Sequence, residues 1–196
     1  MTILALAALV RALRRAPPRA GQTRVLAVDG RAGSGKSTLA GRVAALLDAT
    51  VVHMDDLYPG WEGLAEAAPL LQRWVLAPIA RGEPGRYPRY DWERDAYGDW
   101  VEVAPPDTLV VEGCACGSRI AAPYLSSLLW VEAPRAIRLD RGTERDGQAF
   151  RPHWERWARQ EDALFAAERT RERADFRIDG ASSFPHDPER EVVLLP

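Results

Sequence analysis

A glycine-rich stretch near the start of the chain has the residue types and the spacing to bind phosphate. Residues 30–37 read Gly-Arg-Ala-Gly-Ser-Gly-Lys-Ser and match the pattern G-x-x-x-x-G-K-[ST] throughout. Glycines let the backbone turn so that successive N–H groups point inward and can surround phosphate oxygens. The lysine suits the outer phosphates, and the hydroxyl after it suits Mg²⁺. The pattern therefore predicts a phosphate-binding loop that ends in Lys36 and Ser37.

The chain contains one lysine, and it occupies the position where the loop pattern requires a lysine. Of the 26 lysines and arginines, all except Lys36 are arginine. An ammonium group is a compact point charge that fits inside a ring of amides, whereas a guanidinium group is a broad planar fork. We therefore predict that the loop and the residue after it bind a nucleotide. This predicted set is Gly30, Arg31, Ala32, Gly33, Ser34, Gly35, Lys36, Ser37 and Thr38.

The elements around the loop predict an α/β fold. An apolar run before the loop is typical of a buried strand, and the Ala/Leu-rich residues 39–47 have helical spacing. Strands that alternate with helices indicate a mostly parallel sheet of about five strands, with helices on both faces and ligands at the carboxyl ends of the strands. The other predicted strands are 50–53, 108–113, 128–132 and 176–178, with a possible edge strand at 192–195 and a long helix over 153–173.

Acidic residues follow three of the predicted strands. Asp29 ends the first, the pair Asp55 and Asp56 follows the second, and Glu112 ends the third. In a parallel sheet these ends meet at one edge, beside the phosphate loop. Carboxylates there can hold Mg²⁺ or remove a proton from an attacking hydroxyl, and both uses stay open for the last three residues. Asp29 adjoins the glycines, and we expect it to bond loop amides.

Length, composition and charge favour one domain over residues 1–196. The chain is 46% hydrophobic and 28% charged, as globular proteins are, and its net charge of −2 supplies no basic field for nucleic acid. Cys114 and Cys116 are too few for a disulfide framework, which favours a cytoplasmic protein. Residues 1–20 predict an amphipathic helix, and no apolar run is long enough for a membrane span. We therefore expect neither nucleic-acid nor membrane partners.

These motifs resemble the P-loop kinases of small molecules, a family that includes uridine kinase, nicotinamide riboside kinase and phosphoribulokinase. The resemblance implies a P-loop NTPase-type three-layer sandwich closed by a lid, with ATP and Mg²⁺ as cofactors. His-Met-Asp-Asp-Leu-Tyr at 53–58 is similar to the family's strand end that carries the catalytic base, which makes Asp55 the base. Val-Glu-Gly at 111–113 is similar to the family's Val-Glu-Gly, whose Glu positions Mg²⁺.

The resemblance also implies roles for two other regions. Residues 138–152 correspond to the lid. Three arginines there, at 138, 141 and 145, are spaced to share one face of a helix, and they correspond to the lid's phosphate-clamping groups. Tyr-Asp at 90–91 is similar to a motif whose carboxylate binds sugar hydroxyls. The predicted catalytic residues are Lys36, Asp55 and Arg141. The other nucleotide ligands are Arg138 and Arg145, the metal ligands are Ser37, Asp55 and Glu112, and the substrate residues are Asp55, Asp56, Tyr58, Tyr90, Asp91 and Trp92.

Residues 56–100 are the predicted acceptor-binding region, and residues 61–100 are expected to be irregular apart from a helix near 70–80. Asp91 lies between two aromatic residues there, which suits a polyhydroxy acceptor with a flat face. We therefore predict a kinase that transfers the γ-phosphoryl group of ATP to a hydroxyl of a small molecule, most simply a nucleoside or riboside. A nucleoside-monophosphate kinase and a nucleotide-binding ATPase without an acceptor are the alternatives. The chain lacks asparagine, which argues against a GTPase with an Asn-Lys-x-Asp motif. A homodimer stays open.

Overall fold

Strands and helices alternate along the chain in the computed structural model, which describes residues 1–147 and 151–196. Short turns of 3₁₀ or π helix lie, among other places, at Met54–Asp56, Gln72–Leu76 and Ala122–Tyr124. The strands are β1 (Thr2–Ala5), β2 (Arg24–Asp29), β3 (Thr50–His53), β4 (Gly85–Asp91), β5 (Ala96–Val103), β6 (Thr108–Glu112), β7 (Leu125–Glu132), β8 (Phe176–Asp179) and β9 (Glu191–Leu194). The helices are α1 (Leu6–Arg15), α2 (Lys36–Leu47), α3 (Leu64–Leu71), α4 (Ala77–Ala80), α5 (Arg135–Asp146), α6 (Arg151–Glu168) and α7 (Thr170–Arg173).

The main sheet has seven strands in the order β1-β9-β8-β7-β2-β6-β3. The five strands predicted from the sequence, β2, β3, β6, β7 and β8, form its parallel part, and β2 lies between β6 and β7. The edge strand near 192–195 is also present, as β9, and it runs antiparallel to β8. The mixed α/β fold with a mostly parallel sheet is therefore confirmed, with β1 as an additional strand.

Helices cover both faces of the sheet. Successive residues of β2 point to opposite faces, and the residues on each face pack against helices. Val25 and Ala27 belong to one apolar cluster, which also contains Trp157 and Phe165 of α6. Leu26 and Val28 belong to the other cluster, together with residues of α1 and α2. A strand buried on both faces must be apolar throughout, as the sequence of β2 is.

The N-terminal segment differs from the prediction of one helix over residues 1–20. Thr2–Ala5 form β1, which pairs antiparallel with β9, and α1 begins at Leu6. Within α1, Leu6, Leu9 and Leu13 are buried along one face, as in an amphipathic helix. Within the two described ranges, no helix is both long enough and apolar enough to cross a bilayer.

Residues 61–100 contain more regular structure than the sequence predicted. Helical structure runs through residues 64–80, and β4 and β5 form a hairpin in a separate two-stranded sheet. The hairpin escaped prediction because β4 contains Pro88 and two arginines, while most of β5 is exposed. Of the predicted lid, residues 148–150 lie outside the described ranges.

Candidate functional site

The glycine loop (residues 30–37) connects the end of β2 to the start of α2. Gly33 and Gly35 have φ angles of +76° and +99°, which residues with side chains rarely adopt. A Cβ at Gly33 would also clash with the Arg138 carbonyl oxygen. The first N–H groups of α2 are among those that a helix leaves without internal partners. Together with the helix dipole, they make the start of α2 suitable for an anion.

The Lys36 side chain is held beside the loop. Its Nζ donates a hydrogen bond to the Arg31 carbonyl oxygen at 2.9 Å, and the side chain is buried. Burial lowers the pKa of Lys36, but the nearby acidic groups, Glu112 and Glu161 among them, raise the pKa by more, so that it ends above its ordinary value. The ammonium group is therefore charged at neutral pH.

Asp29 ties the loop to the sheet, as expected from its position. Its Oδ1 accepts the N–H groups of Gly30 and Ala115, and its Oδ2 accepts the N–H of Gly117. Complete burial raises the pKa of Asp29 to about 7, and these hydrogen bonds, together with the charge of Lys36, keep it from rising further. The glycine loop and the turn after β6 are thus fixed to one carboxyl group.

Glu112 connects α2 to the end of β3. Its Oε2 accepts the Ser37 hydroxyl at 3.1 Å, and its Oε1 lies 2.7 Å from His53 Nδ1. Burial raises the pKa of Glu112, but the contacts with His53, Lys36 and Ser37 lower it by more. The hydrogen bond to Glu112 raises the pKa of His53. The sequence analysis missed His53, and its place one residue before the paired aspartates is the signal that could have identified it.

A cavity of about 850 Å³ brings several predicted residues together. Its lining includes Ala32, Lys36, Ser37, Glu112 and Asp55. Asp55 is exposed, and it follows β3 in the short 3₁₀ turn. The loop, the candidate metal ligands and the candidate base therefore share one space.

An aromatic wall, formed by Tyr58, Trp61, Trp92 and Trp157, lines the same cavity. The ring centroids of Tyr58 and Trp157, and those of Trp61 and Trp92, are 4.9 Å apart with the rings edge to face. Trp61 also stacks on His153 at 4.5 Å. Trp92 Nε1 donates to the Asp55 carbonyl oxygen at 3.0 Å, which fixes the backbone of the candidate base against the wall. Trp61, His153 and Trp157 were not among the site residues predicted from the sequence.

Two predicted substrate residues lie in the hairpin, outside the lining of this cavity. Asp91 Oδ1 accepts the N–H groups of Glu93 and Arg94, so this carboxylate stabilises the turn between β4 and β5. The Tyr90 hydroxyl donates to Asp95, and its ring packs against Trp92 at 5.2 Å. The structure thus places Tyr90 behind the wall and gives Asp91 a role in the turn.

Asp56 is also directed away from the cavity. Its Oδ2 accepts a long hydrogen bond from the Tyr87 hydroxyl at 3.5 Å, and its Oδ1 lies 3.4 Å from Arg89 Nε. Both partners belong to β4. Of the two adjacent aspartates, Asp55 is the one placed near Lys36, whereas Asp56 attaches the hairpin to the end of β3.

The three predicted lid arginines lie on α5 in different surroundings. Arg138 is buried and donates to the carbonyl oxygens of Ala133 and Ala32. Arg141 Nη1 donates to Gly180 O at 2.9 Å and lines a second cavity of about 480 Å³, which Gly35 and Thr38 also line. Arg145 lines the large cavity with Lys36.

The fold defines the class of protein as one with the architecture of P-loop kinases of the uridine kinase type. A possible uridine kinase from Bacillus stearothermophilus has a TM-score of 0.65 and 21% identity, over 88% of this chain and 96% of that one. A provisionally assigned fructose transport system kinase from Silicibacter sp. TM1040 has a TM-score of 0.53 and 27% identity, over 87% of this chain and 95% of that one. No protein-family model and no curated protein matches the chain. The two structural likenesses confirm the predicted resemblance at the level of the fold.

Proposed function

We propose that the chain is an ATP-dependent kinase that transfers the γ-phosphoryl group to a hydroxyl of a small molecule. One observation carries this proposal: Lys36, the Ser37–Glu112 pair and Asp55 share a single cavity with an aromatic wall. Lys36 and the Ser37–Glu112 pair suit a nucleoside triphosphate with its Mg²⁺, and the wall suits an uncharged flat acceptor. The cavity volume of about 850 Å³ is within the range typical of small-molecule sites.

The glycine loop would hold the nucleotide. Its amides and the start of α2 bind the phosphates, and Lys36 exchanges its bond to Arg31 for contacts with the β- and γ-phosphates. Arg145 would contact the transferred phosphoryl group, since it lines the same cavity as Lys36. The second cavity, beside Thr38 and Arg141, would take the nucleoside part of ATP.

The donor set fits a magnesium ion. Among the described residues, no group of three or more His, Cys, Asp and Glu side chains is suited to a metal. Mg²⁺ needs no such group, because it usually takes one or two protein oxygens and completes its shell with phosphate oxygens and water. Ser37 Oγ and Glu112 Oε2, 3.1 Å apart, would hold it, with Asp55 as a further candidate. A bound ion would neutralise negative charge that develops between the β- and γ-phosphates.

Asp55 would act as the general base. An acceptor hydroxyl gives its proton to the carboxylate as its oxygen bonds to the γ-phosphorus, and the bond from phosphorus to the β–γ bridging oxygen breaks to release ADP. Asp56 does not line the cavity and pairs with Arg89 instead, which favours Asp55 for this step. The Trp92 indole supports Asp55 by its bond to the backbone there.

The acceptor that we propose is a nucleoside or a riboside. Four aromatic rings supply flat apolar surface for a base, and the carboxylates of Asp55 and Glu93 in the lining can accept hydrogen bonds from hydroxyls. A nucleoside monophosphate would bring a second phosphate group into this space, yet Arg145 is the single arginine among the described residues that line it. The geometry therefore favours an uncharged acceptor.

An ADP-release screen with MgATP tests the proposal. Nucleosides, ribosides, sugars, vitamins and nucleoside monophosphates would each be compared with a blank without acceptor. We expect turnover with at least one nucleoside or riboside, and loss of that turnover in Asp55→Asn. Turnover with monophosphates alone would support the nucleoside-monophosphate kinase. ADP release that no acceptor accelerates would support an ATPase.

A further inference from the structure

A buried carboxylate on α6 lies where the glycine loop, the turn after β6 and the aromatic wall meet. Glu161 is completely buried, and its Oε1 accepts the Ala32 N–H at 2.6 Å and the Trp157 indole N–H at 3.1 Å. The Cys114 thiol is 3.3 Å from the same oxygen. One oxygen atom thus joins three groups that line the proposed active site.

The other oxygen of Glu161 faces positive charge. Oε2 lies 3.7 Å from Arg31 Nη1, on the glycine loop, and 3.7 Å from Arg138 Nη1, on α5. Within the described parts of the chain this oxygen has no hydrogen-bond partner. A buried carboxylate is costly unless it is paired, so the two guanidinium groups are what allow it to stay there. Glu161 therefore also links the loop to the helix that carries Arg145.

We propose that Glu161 is a positioning residue that holds the glycine loop in its phosphate-binding shape and connects it to the aromatic wall. The loop has several N–H groups, and Glu161 takes the one at Ala32, which leaves the later amides and the start of α2 for phosphate. Trp157 lies one helical turn before Glu161, so a contact between the acceptor and this ring reaches the loop through a single side chain. This role rests on the proposed function.

The variant Glu161→Gln tests the role in the full-length protein. Its amide must turn an NH₂ group either toward Ala32 N–H and Trp157 N–H or toward the two arginines, so donors face donors in both orientations. Hydrogen exchange of the free protein should accelerate in peptides that cover residues 30–37, while exchange in the central strands stays unchanged. MgADP affinity, measured by calorimetry, should fall by about tenfold, because a charge-assisted hydrogen bond that shapes the loop is lost.

Asp162→Asn is the matched control. Asp162 is exposed, is the next residue on α6, and pairs with Arg31 at 2.6 Å without contacting Ala32. Both exchange in the loop and MgADP affinity should stay within about twofold of the parent protein, since exposed ion pairs contribute little. If Glu161→Gln leaves both quantities at parental values, even with a lower melting temperature, Glu161 only stabilises the fold and the proposal is overturned.

Two further outcomes are decisive. If Glu161→Gln does not fold, Trp157→Phe replaces it, because this change removes one donor to Oε1 and keeps an aromatic ring. It should accelerate exchange in the loop in the same direction, and parental exchange would overturn the proposal. If the parent protein does not bind MgADP, the proposed kinase function fails, and the exchange data alone then decide whether Glu161 positions the loop.

Discussion

The glycine loop and the aromatic wall line the same cavity, yet they are built in different ways. The loop is one continuous segment whose binding groups are mostly main-chain amides, with a short strand and a helix to hold it. The wall takes Tyr58, Trp61, Trp92 and Trp157 from separate parts of the chain, and each ring is held by another ring or by a hydrogen bond. A site made from the backbone leaves a local pattern in the sequence, whereas a site made by packing does not.

Removing the one lysine should have the largest effect at the loop end. Lys36→Ala should reduce phosphoryl transfer by about 10³-fold or more, since the chain has no second lysine to neutralise charge between the phosphates. Initial rates of ADP release measure the effect. Arg11→Ala, which removes a positive charge from the exposed side of α1, is the control and should keep the parental rate. Turnover of Lys36→Ala within tenfold of the parent would contradict the assignment.

In the proposed mechanism, the catalytic step lies at the junction of the two regions and uses Asp55 as the general base. Asp55→Asn keeps the shape of the side chain but accepts no proton, so kcat should fall by about 10²–10³-fold, as loss of a general base usually does. MgADP affinity should hardly change. Asp56→Asn is the matched control, because Asp56 contacts β4 and not the cavity. A larger loss in Asp56→Asn would mean that the two roles are exchanged.

The rigidity of the loop end can be tested through stability. Asp29→Asn should lower the free energy of unfolding by about 1–3 kcal/mol, because the new NH₂ group must face at least one of the three N–H donors that Asp29 now accepts. The free energy of unfolding of both proteins is measured by urea titration at pH 8.5. This pH is above the raised pKa of about 7, so Asp29 is ionised in the parent protein. Asp48→Asn, at an exposed position with φ of +53° that asparagine tolerates, should change stability by less than about 0.5 kcal/mol.

The acceptor end can be tested with two adjacent residues of the hairpin. Trp92→Ala should raise the acceptor KM by about tenfold, because it removes a ring of the wall and the bond to the Asp55 backbone. Asp91→Ala should instead lower the melting temperature, with the acceptor KM unchanged, because its carboxylate holds the turn. The sequence predicted an acceptor role for Asp91. A raised KM in Asp91→Ala, at an unchanged melting temperature, would restore that prediction.

The smallest effect concerns the ion pair between Glu112 and His53. The pKa of His53 is raised in the folded protein. The stabilisation of the fold by protonated His53 is therefore fully present below the ordinary pKa of 6.5, and it is lost as the pH rises through the folded pKa. The pKa of Glu112 is lowered, so its stabilisation is lost only at acidic pH, below 4.5. His53→Ala should therefore cost more stability at pH 5.5 than at pH 8.5, by at most about 0.5 kcal/mol, because His53 is half exposed. An equal cost at both pH values would exclude a charged pair.

The sequence predicted the loop, the parallel strands and the position of Asp55 because each depends on local patterns. Apolar runs identify buried strands wherever they occur, and the loop pattern requires no distant partner. The hairpin and the wall could not be predicted in this way, since they form through contacts between distant segments. Glu161 lies between these two cases in how well it could be predicted from the sequence. It occupies the buried stripe of α6 with Trp157 and Phe165, four residues away on each side, and that spacing could have identified it as a buried charge.

The hairpin of β4 and β5 has a consequence for how such a protein changes. Its strands pair with each other, in a sheet separate from the seven-stranded one. Insertions or replacements there leave the hydrogen-bonded ladders of the main sheet intact, while they reshape the surroundings of Trp92. Under the proposed function, acceptor preference could therefore diverge in evolution through this one segment, and residues 85–103 are a natural unit for grafting between homologues.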